Sequence, residues 1–261
     1  MSAAVSDEQR IYQHREVWAV RPELRSVYQE WFAQVCLCLE CRRPVVEIGA
    51  GPGFFKDYFP ESIATDVISG PNLDVMCGAS SLPFRSGSLG GLVMLDVLHH
   101  LPEPLEFLTE AGRVLRPGGR LVVIEPWITC PSYLLYRYFH DEDCSLRIDI
   151  RQPFGRSDKK AFDGNAAIPF KVLKEGKPER SSLHLVRAEP FIALPYLATL
   201  GFKCARPIPQ AIVDIAKFGE RLLSPLRKLV ATRILIVWER VGVLHGLLEL
   251  TCAGFKKYPG E

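Results

Sequence analysis

The sequence predicts an α/β fold built on a doubly wound parallel sheet with helices on both faces. From Pro44 to Trp127, short β-branched runs alternate with helical patterns, and strand–helix repetition of that kind closes into a parallel sheet. A glycine-rich turn directly follows the first of those runs, at the point where a strand would pass into a helix. Size agrees: 261 residues, 48% of them hydrophobic, exceed one minimal α/β sandwich and fall short of two independent domains.

Bulk charge narrows the choice of partners. Lys and Arg (32) nearly balance Asp and Glu (30), so overall charge gives no support to a nucleic-acid partner. Residues 1–17 contain no apolar core of a signal peptide. The most apolar stretch, Ile234 to Phe255, is interrupted by Glu239, Arg240, His245 and Glu249 and offers no clean span of about 20 apolar residues. A cytoplasmic protein is expected, and its eight cysteines are then free thiols. Cys36, Cys38 and Cys41 would point to different faces of a helix and have no fourth ligand nearby, so no metal site is expected.

Taken in order, Ser6-Asp7-Glu8-Gln9 fits a capping box that opens a first helix. A second helix begins at Pro22, with Leu24, Tyr28, Trp31 and Val35 as one apolar stripe. Residues 1–43 form a helical cap ahead of a core at 44–127. Within the core, strands are expected at Val45–Gly49, Ser62–Asp66, Leu73–Met76, Gly91–Leu95 and Arg120–Glu125. Helices fall at Phe54–Tyr58 and Pro102–Leu115, and Arg116-Pro117-Gly118-Gly119 acts as a breaker. Residues 128–195 lack this rhythm and read as a lid or recognition insertion. Residues 196–261 complete the sheet. A helix at Phe191–Leu200 runs into them, and they hold a turn and strand at Gly201–Pro207, an amphipathic helix at 210–230 broken at Pro225, and a buried strand at Thr232–Glu239.

The decisive segment is Val45-Val46-Glu47-Ile48-Gly49-Ala50-Gly51-Pro52-Gly53-Phe54. Its glycines occupy every second position, where a tight turn needs positive φ and a ligand needs access to backbone. The G-x-G-x-x-G spacing that seats a pyrophosphate is absent, because Phe54 stands where the last glycine would be. Glu47, just ahead of the turn, is a poor neighbour for a pyrophosphate and a good one for an ammonium group.

E-I-G-A-G-P-G resembles the first motif of class I S-adenosylmethionine-dependent methyltransferases. Further likenesses follow in the family's order: Asp66 in Ala64-Thr65-Asp66-Val67, the loop Gly78-Ala79-Ser80-Ser81-Leu82-Pro83-Phe84, the segment Leu95-Asp96-Val97-Leu98-His99-His100-Leu101, and R-V-L-R-P-G-G-R-L within Glu110–Arg120. They most resemble the subgroup related to ubiquinone and menaquinone biosynthesis methyltransferases. The resemblance implies a Rossmann-like, doubly wound sheet of about seven strands with an insertion between strands five and six, and S-adenosylmethionine as cofactor. It places Glu47, Gly49, Ala50, Gly51 and Gly53 around the methionine part, Asp66 on the ribose hydroxyls, and Gly78, Ala79, Ser80, Leu95 and Asp96 on the remaining walls. Gly78 departs from the pattern, since the family usually carries Asp there. Asp74 or a backbone carbonyl is the available replacement for the adenine contact.

Methyl transfer requires alignment of the acceptor and uptake of its proton. His140, flanked by acids in the expected lid, and His100 are the candidate proton acceptors. A small-molecule or lipid-like acceptor methylated at oxygen or carbon fits best. Strand four lacks the Asn/Asp-Pro-Pro-Tyr signature of amino-nitrogen methylation, and Cys130 lacks the partner cysteine of RNA cytosine-C5 enzymes. Alternative readings are an RNA or protein methyltransferase and a non-catalytic cofactor-binding subunit. Lys203, Arg206, Lys217, Arg221, Arg227, Lys228 and Arg233 form a basic stretch that supports the macromolecular reading. The expected packing instead makes it the solvated face of a helix that turns Ile212, Ile215, Leu222, Leu226 and Leu229 inward, with peripheral membrane contact through 210–230 as a further option.

Overall fold

A computed structural model describes residues 5–139, 142–154, 163–176 and 181–242. Helix α1 (Asp7–Val20) opens on the reciprocal cap announced by the sequence. Ser6 Oγ accepts from the Gln9 amide at 3.2 Å, and Gln9 Oε1 accepts from the Ser6 amide at 2.9 Å. Helix α2 (Pro22–Leu39) starts with its proline in the first turn, where no amide partner is needed, and buries Leu24, Tyr28, Trp31 and Val35 as one stripe. Buried Arg21 sits between the two helices. It pairs with Glu23 and donates to the carbonyls of Thr199 (2.7 Å) and Cys204, which fastens the N-terminal pair to a segment far along the chain.

The strands and helices that follow are β1 (Val45–Ile48), α3 (Phe54–Tyr58), β2 (Ile63–Asp66), β3 (Val75–Met76), β4 (Leu89–Leu95), α4 (Pro104–Val114), β5 (Leu115–Pro126), α5 (Cys130–Phe139), α6 (Ile168–Glu175), β6 (Leu183–Phe191), α7 (Leu194–Thr199), α8 (Gln210–Leu223), α9 (Arg227–Val230) and β7 (Arg233–Arg240). They build a seven-stranded sheet in the order β3-β2-β1-β4-β5-β7-β6. The first five strands are parallel, whereas β7 runs antiparallel between β5 and β6. Alternate side chains of the central strands feed two cores. Val46, Ile48, Leu92, Met94, Leu121 and Val123 join α4 and α6 on one face; Val45, Val93, Val122, Ile124, Leu235 and Val237 join α1 and α2 on the other.

Several local expectations are corrected. Arg116–Gly119 does not end an element. It lies inside β5 as an irregularity, since Leu115 pairs with Leu89 while Arg120 already pairs with Gly91. The sixth strand is β6 rather than 201–207, where a single 3₁₀ turn is followed by irregular chain, so β6 falls inside the stretch expected to be insertion. The actual insertion between strands five and six covers 127–182. The apolar residues Ile212, Ile215, Leu222, Leu226 and Leu229 do not pack inward; all five are exposed.

Candidate functional site

The carboxyl ends of β1, β2, β4 and β5 open into a cavity of about 690 Å³, where parallel sheets characteristically place ligands. Its floor is the glycine turn. Gly49, Gly51 and Gly53 have φ of 67°, 49° and 76°, a region that side chains other than glycine rarely adopt. The three glycines serve different ends. A Cβ on Gly49 would meet Val97 at 2.6 Å, and one on Gly53 would meet Asn72 Cβ at 3.0 Å and the Pro71 carbonyl at 3.1 Å. Beside Gly51 the space is open. Gly53 therefore lies behind the turn and caps α3, while Gly49, Ala50 and Gly51 face the cavity.

Two carboxylates flank the turn. Glu47 is buried, and its Oε2 has no hydrogen-bond partner among the described residues. Burial, then the neighbouring charges of Asp66 and Asp57, push its carboxyl well above the ordinary range. An unpartnered buried carboxylate is costly unless something completes it, and a cation is the natural complement. Asp66 ends β2 and accepts from the Gly51 amide at 2.7 Å and the Ile68 amide at 3.0 Å. A carboxylate has about four acceptor positions, so two remain for hydroxyl donors.

Gly78, Ala79 and Ser80 form the opposite wall, with open space beside Gly78 where a side chain could stand. Asp74 does not replace the missing acid. Its carboxylate pairs with Lys56 and accepts from the Ala64 amide at 2.8 Å, outside the cavity. The Gly78–Phe84 loop is instead held from behind by α4. Glu110 accepts from the Leu82 amide at 2.7 Å, and Arg113 donates to the carbonyls of Leu82 and Phe84, both at 3.0 Å.

Leu95 ends β4, Asp96 follows it, and both line the cavity. Asp96 has a φ of 56° and pairs with Arg233, the first residue of β7. Arg233 was expected in a solvated basic stretch, yet it is buried, with its guanidinium 5.5 Å from the Trp31 ring and 5.0 Å from that of Tyr196. Burial brings its pKa down to about 10, so it remains a cation at neutral pH.

Beyond Asp96 lies a carboxylate–histidine chain. Fully buried Glu125 accepts from the amides of Val97 (2.8 Å) and Leu98 (2.6 Å) and from His99 Nδ1. The other ring nitrogen of His99 is 3.0 Å from Glu142 Oε2, in the insertion. Burial opposes a charged ring here, but Glu125 and then Glu142 outweigh it, and the pKa of His99 is pushed up to about 10. His100 faces the cavity, its Nε2 3.8 Å from Glu142 Oε1. His140 lies outside the described residues. Cys130 is exposed at the start of α5 and does not line the cavity.

The sequence reading missed part of the enclosure. Ile11 and His14 of α1 and Tyr28 and Phe32 of α2 line the cavity, and His14 stacks on Phe202 at 4.5 Å. Burial and then Arg10 bring the pKa of His14 down to about 4, which leaves it neutral at physiological pH.

The strand order, the reversed seventh strand and the glycine turn beside two acids define the class I methyltransferase fold. Residues 46–123 match the family model described as a methyltransferase domain, and the chain carries that domain; S-adenosylmethionine is the family's methyl donor. An uncharacterized methyltransferase of Mycobacterium sp. (strain JLS) is 33% identical over 95 residues, covering 31% of this chain and 38% of the relative. A demethylmenaquinone methyltransferase of Renibacterium salmoninarum is 29% identical over 112 residues, covering 38% of this chain and 46% of the relative. The chain thus spans less than half the length of these curated relatives. Among solved structures, a methyltransferase from Archaeoglobus fulgidus aligns over 82% of this chain and 94% of its own, with 16% identity and a TM-score of 0.49.

Proposed function

We propose that this protein transfers a methyl group from S-adenosylmethionine to a small or lipid-like acceptor, at oxygen or carbon. The observation that carries the reading is Glu47, a buried and unpartnered carboxylate beside a side-chain-free turn. The donor fits these residues. Glu47 would hold its ammonium group, Asp66 its ribose hydroxyls, the backbone of Gly49–Gly51 its methionine chain, and Gly78–Ser80 would border the adenine. Bound there, the donor supplies an electrophilic methyl on a sulfonium.

The chain's own work is positioning and proton uptake. His100, facing the cavity beside Glu142, takes up the acceptor's proton. Glu125 fixes the turn that carries both histidines, so it acts as a positioning residue. The walls contributed by Tyr28, Phe32, Phe54 and Tyr196 suit an apolar acceptor and exclude water. The macromolecular reading is disfavoured by the fate of the basic stretch: Lys217 pairs with Glu30, Arg227 with Glu189, and Arg233 is buried.

Incubation with isotope-labelled donor and a native metabolite extract, followed by mass analysis, is expected to label a small or lipid-like product. Gly51→Arg fills the space beside the turn and is expected to abolish donor binding by calorimetry. Donor binding with no turnover across broad acceptor pools would favour a non-catalytic subunit, and unimpaired binding by the Gly51 variant would overturn the site.

A further inference from the structure

We infer that α8 and α9 form an interfacial surface that docks this protein on an anionic lipid bilayer. Ile212, Ile215, Phe218, Leu222, Leu226 and Leu229 recur at intervals of three and four, which places them in one stripe along the helical segment. In the fold that stripe faces outward. Ile215, Phe218, Leu222 and Leu229 are 61–71% exposed, far more than apolar side chains on a helix that packs by its apolar face. The side of α8 opposite the stripe supplies the anchors instead. Val213 is buried, Glu220 accepts from the Leu194 amide at 2.9 Å, and Lys217 Nζ meets Glu30 Oε1 at 2.6 Å. A helix clamped through Val213, Lys217 and Glu220, with its apolar stripe turned to solvent, has no cover for that stripe among the described residues.

Charge selects the occupant. Of the two acids in 210–230, Glu220 is turned to α7 and Asp214 is occupied by Gln210 at 3.0 Å. Arg221 and Lys228 are exposed and have no ion pair among the described residues, so the rim of the apolar stripe is cationic. Basic side chains beside an exposed apolar stripe match an anionic interface, where the stripe enters the acyl boundary and the cations meet headgroups. No helix of the described residues is long and apolar enough to cross a membrane, so the contact is peripheral.

The surface also borders the cavity. Helix α8 packs on α7, whose Tyr196 lines the cavity, and α9 leads within a few residues into Arg233, which lines it too. A bilayer at α8–α9 therefore lies next to the cavity wall, where a lipid-linked acceptor would arrive. The docking claim stands apart from the proposed methyl transfer, since it is tested without an acceptor.

The test is co-sedimentation of the full chain with phosphatidylcholine vesicles, with and without phosphatidylglycerol. Binding is expected to the anionic vesicles and to weaken with salt. Arg221→Gln and Lys228→Gln should each reduce affinity about fivefold. Ile215→Ser combined with Leu222→Ser should abolish binding while leaving the thermal melt and donor affinity unchanged. No binding to anionic vesicles at low salt overturns the inference. So does a dimer that dissociates in the Ile215/Leu222 variant without vesicle binding, which gives the face to a second copy. Shielding of the Ile215, Phe218 and Leu222 side chains from hydroxyl-radical footprinting in the isolated monomer, again without vesicle binding, assigns the face to residues 243–261 of the same chain.

Discussion

Glu47 carries opposing demands. Its carboxyl is pushed up from the ordinary value of 4.5 by burial and by Asp66 and Asp57, so the folded state keeps the proton to higher pH than the unfolded chain. Stability without donor then declines as pH rises above about 4.5, because ionisation costs more in the fold than outside it. Glu47→Gln is accordingly expected to raise the melting temperature of the donor-free protein at pH 7. It should also weaken donor binding ten- to a hundredfold, by loss of a charge-assisted bond worth about 1.5–3 kcal/mol. A variant that is neither more stable nor weaker in binding would remove Glu47 from the site. His99 follows the same direction for a different reason, since here the fold favours the charged form through Glu125 and Glu142. With its pKa raised from 6.5 to about 10, its contribution to stability is complete below pH 6.5 and is lost as pH rises toward 10. Thermal melts of the parent should show that decline, and His99→Gln should flatten it.

Helix α1 is a wall of the cavity as well as part of the fold, so its cap reaches the site. Ser6→Ala is expected to cost about 1 kcal/mol of stability and to lower donor affinity through Ile11 and His14; denaturant titration and calorimetry separate the two effects. Much of this architecture was legible. The cap, the proline-started α2, the glycine turn and the α3 boundaries follow from local chemistry that tertiary contacts did not override. The recurrent segment from Glu110 onward has a reason that the sequence did not disclose: Glu110 and Arg113 hold the Gly78–Phe84 loop. Strand β6 showed only as the strand-like Leu183-His184-Leu185-Val186 and not as a member of the sheet, because it is largely exposed and Arg187, Glu189 and Pro190 do not mark a buried strand. The α8 stripe was read correctly as a stripe and wrongly as an inner face, because periodicity states which residues share a side and not where that side points. Arg233 escaped notice because burial of a cation has no local signature. Two hints were available: Arg233 falls in the strand expected to be buried at Thr232–Glu239, and Asp96 is an acid on the opposite segment that needs a partner.

Taken whole, the cavity draws on α1, α2, the carboxyl ends of β1, β2, β4 and β5, α7 and the first residue of β7, so the site joins the N-terminal helices to the sheet. Donor at a hundred times its dissociation constant should add about 2.7 kcal/mol to a single cooperative unfolding transition. Scanning calorimetry is expected to show one peak that moves as a unit; two peaks, of which donor moves only one, would separate the N-terminal helices from the sheet. The position of β7 has a temporal consequence. Because β7 lies between β5 and β6, and among the described residues β6 pairs with β7 alone, strand six leaves the ribosome before that neighbour exists. Nascent chains shorter than about 240 residues therefore expose an unzipped edge at β5, and the order in which this sheet is assembled differs from the order in which it is translated.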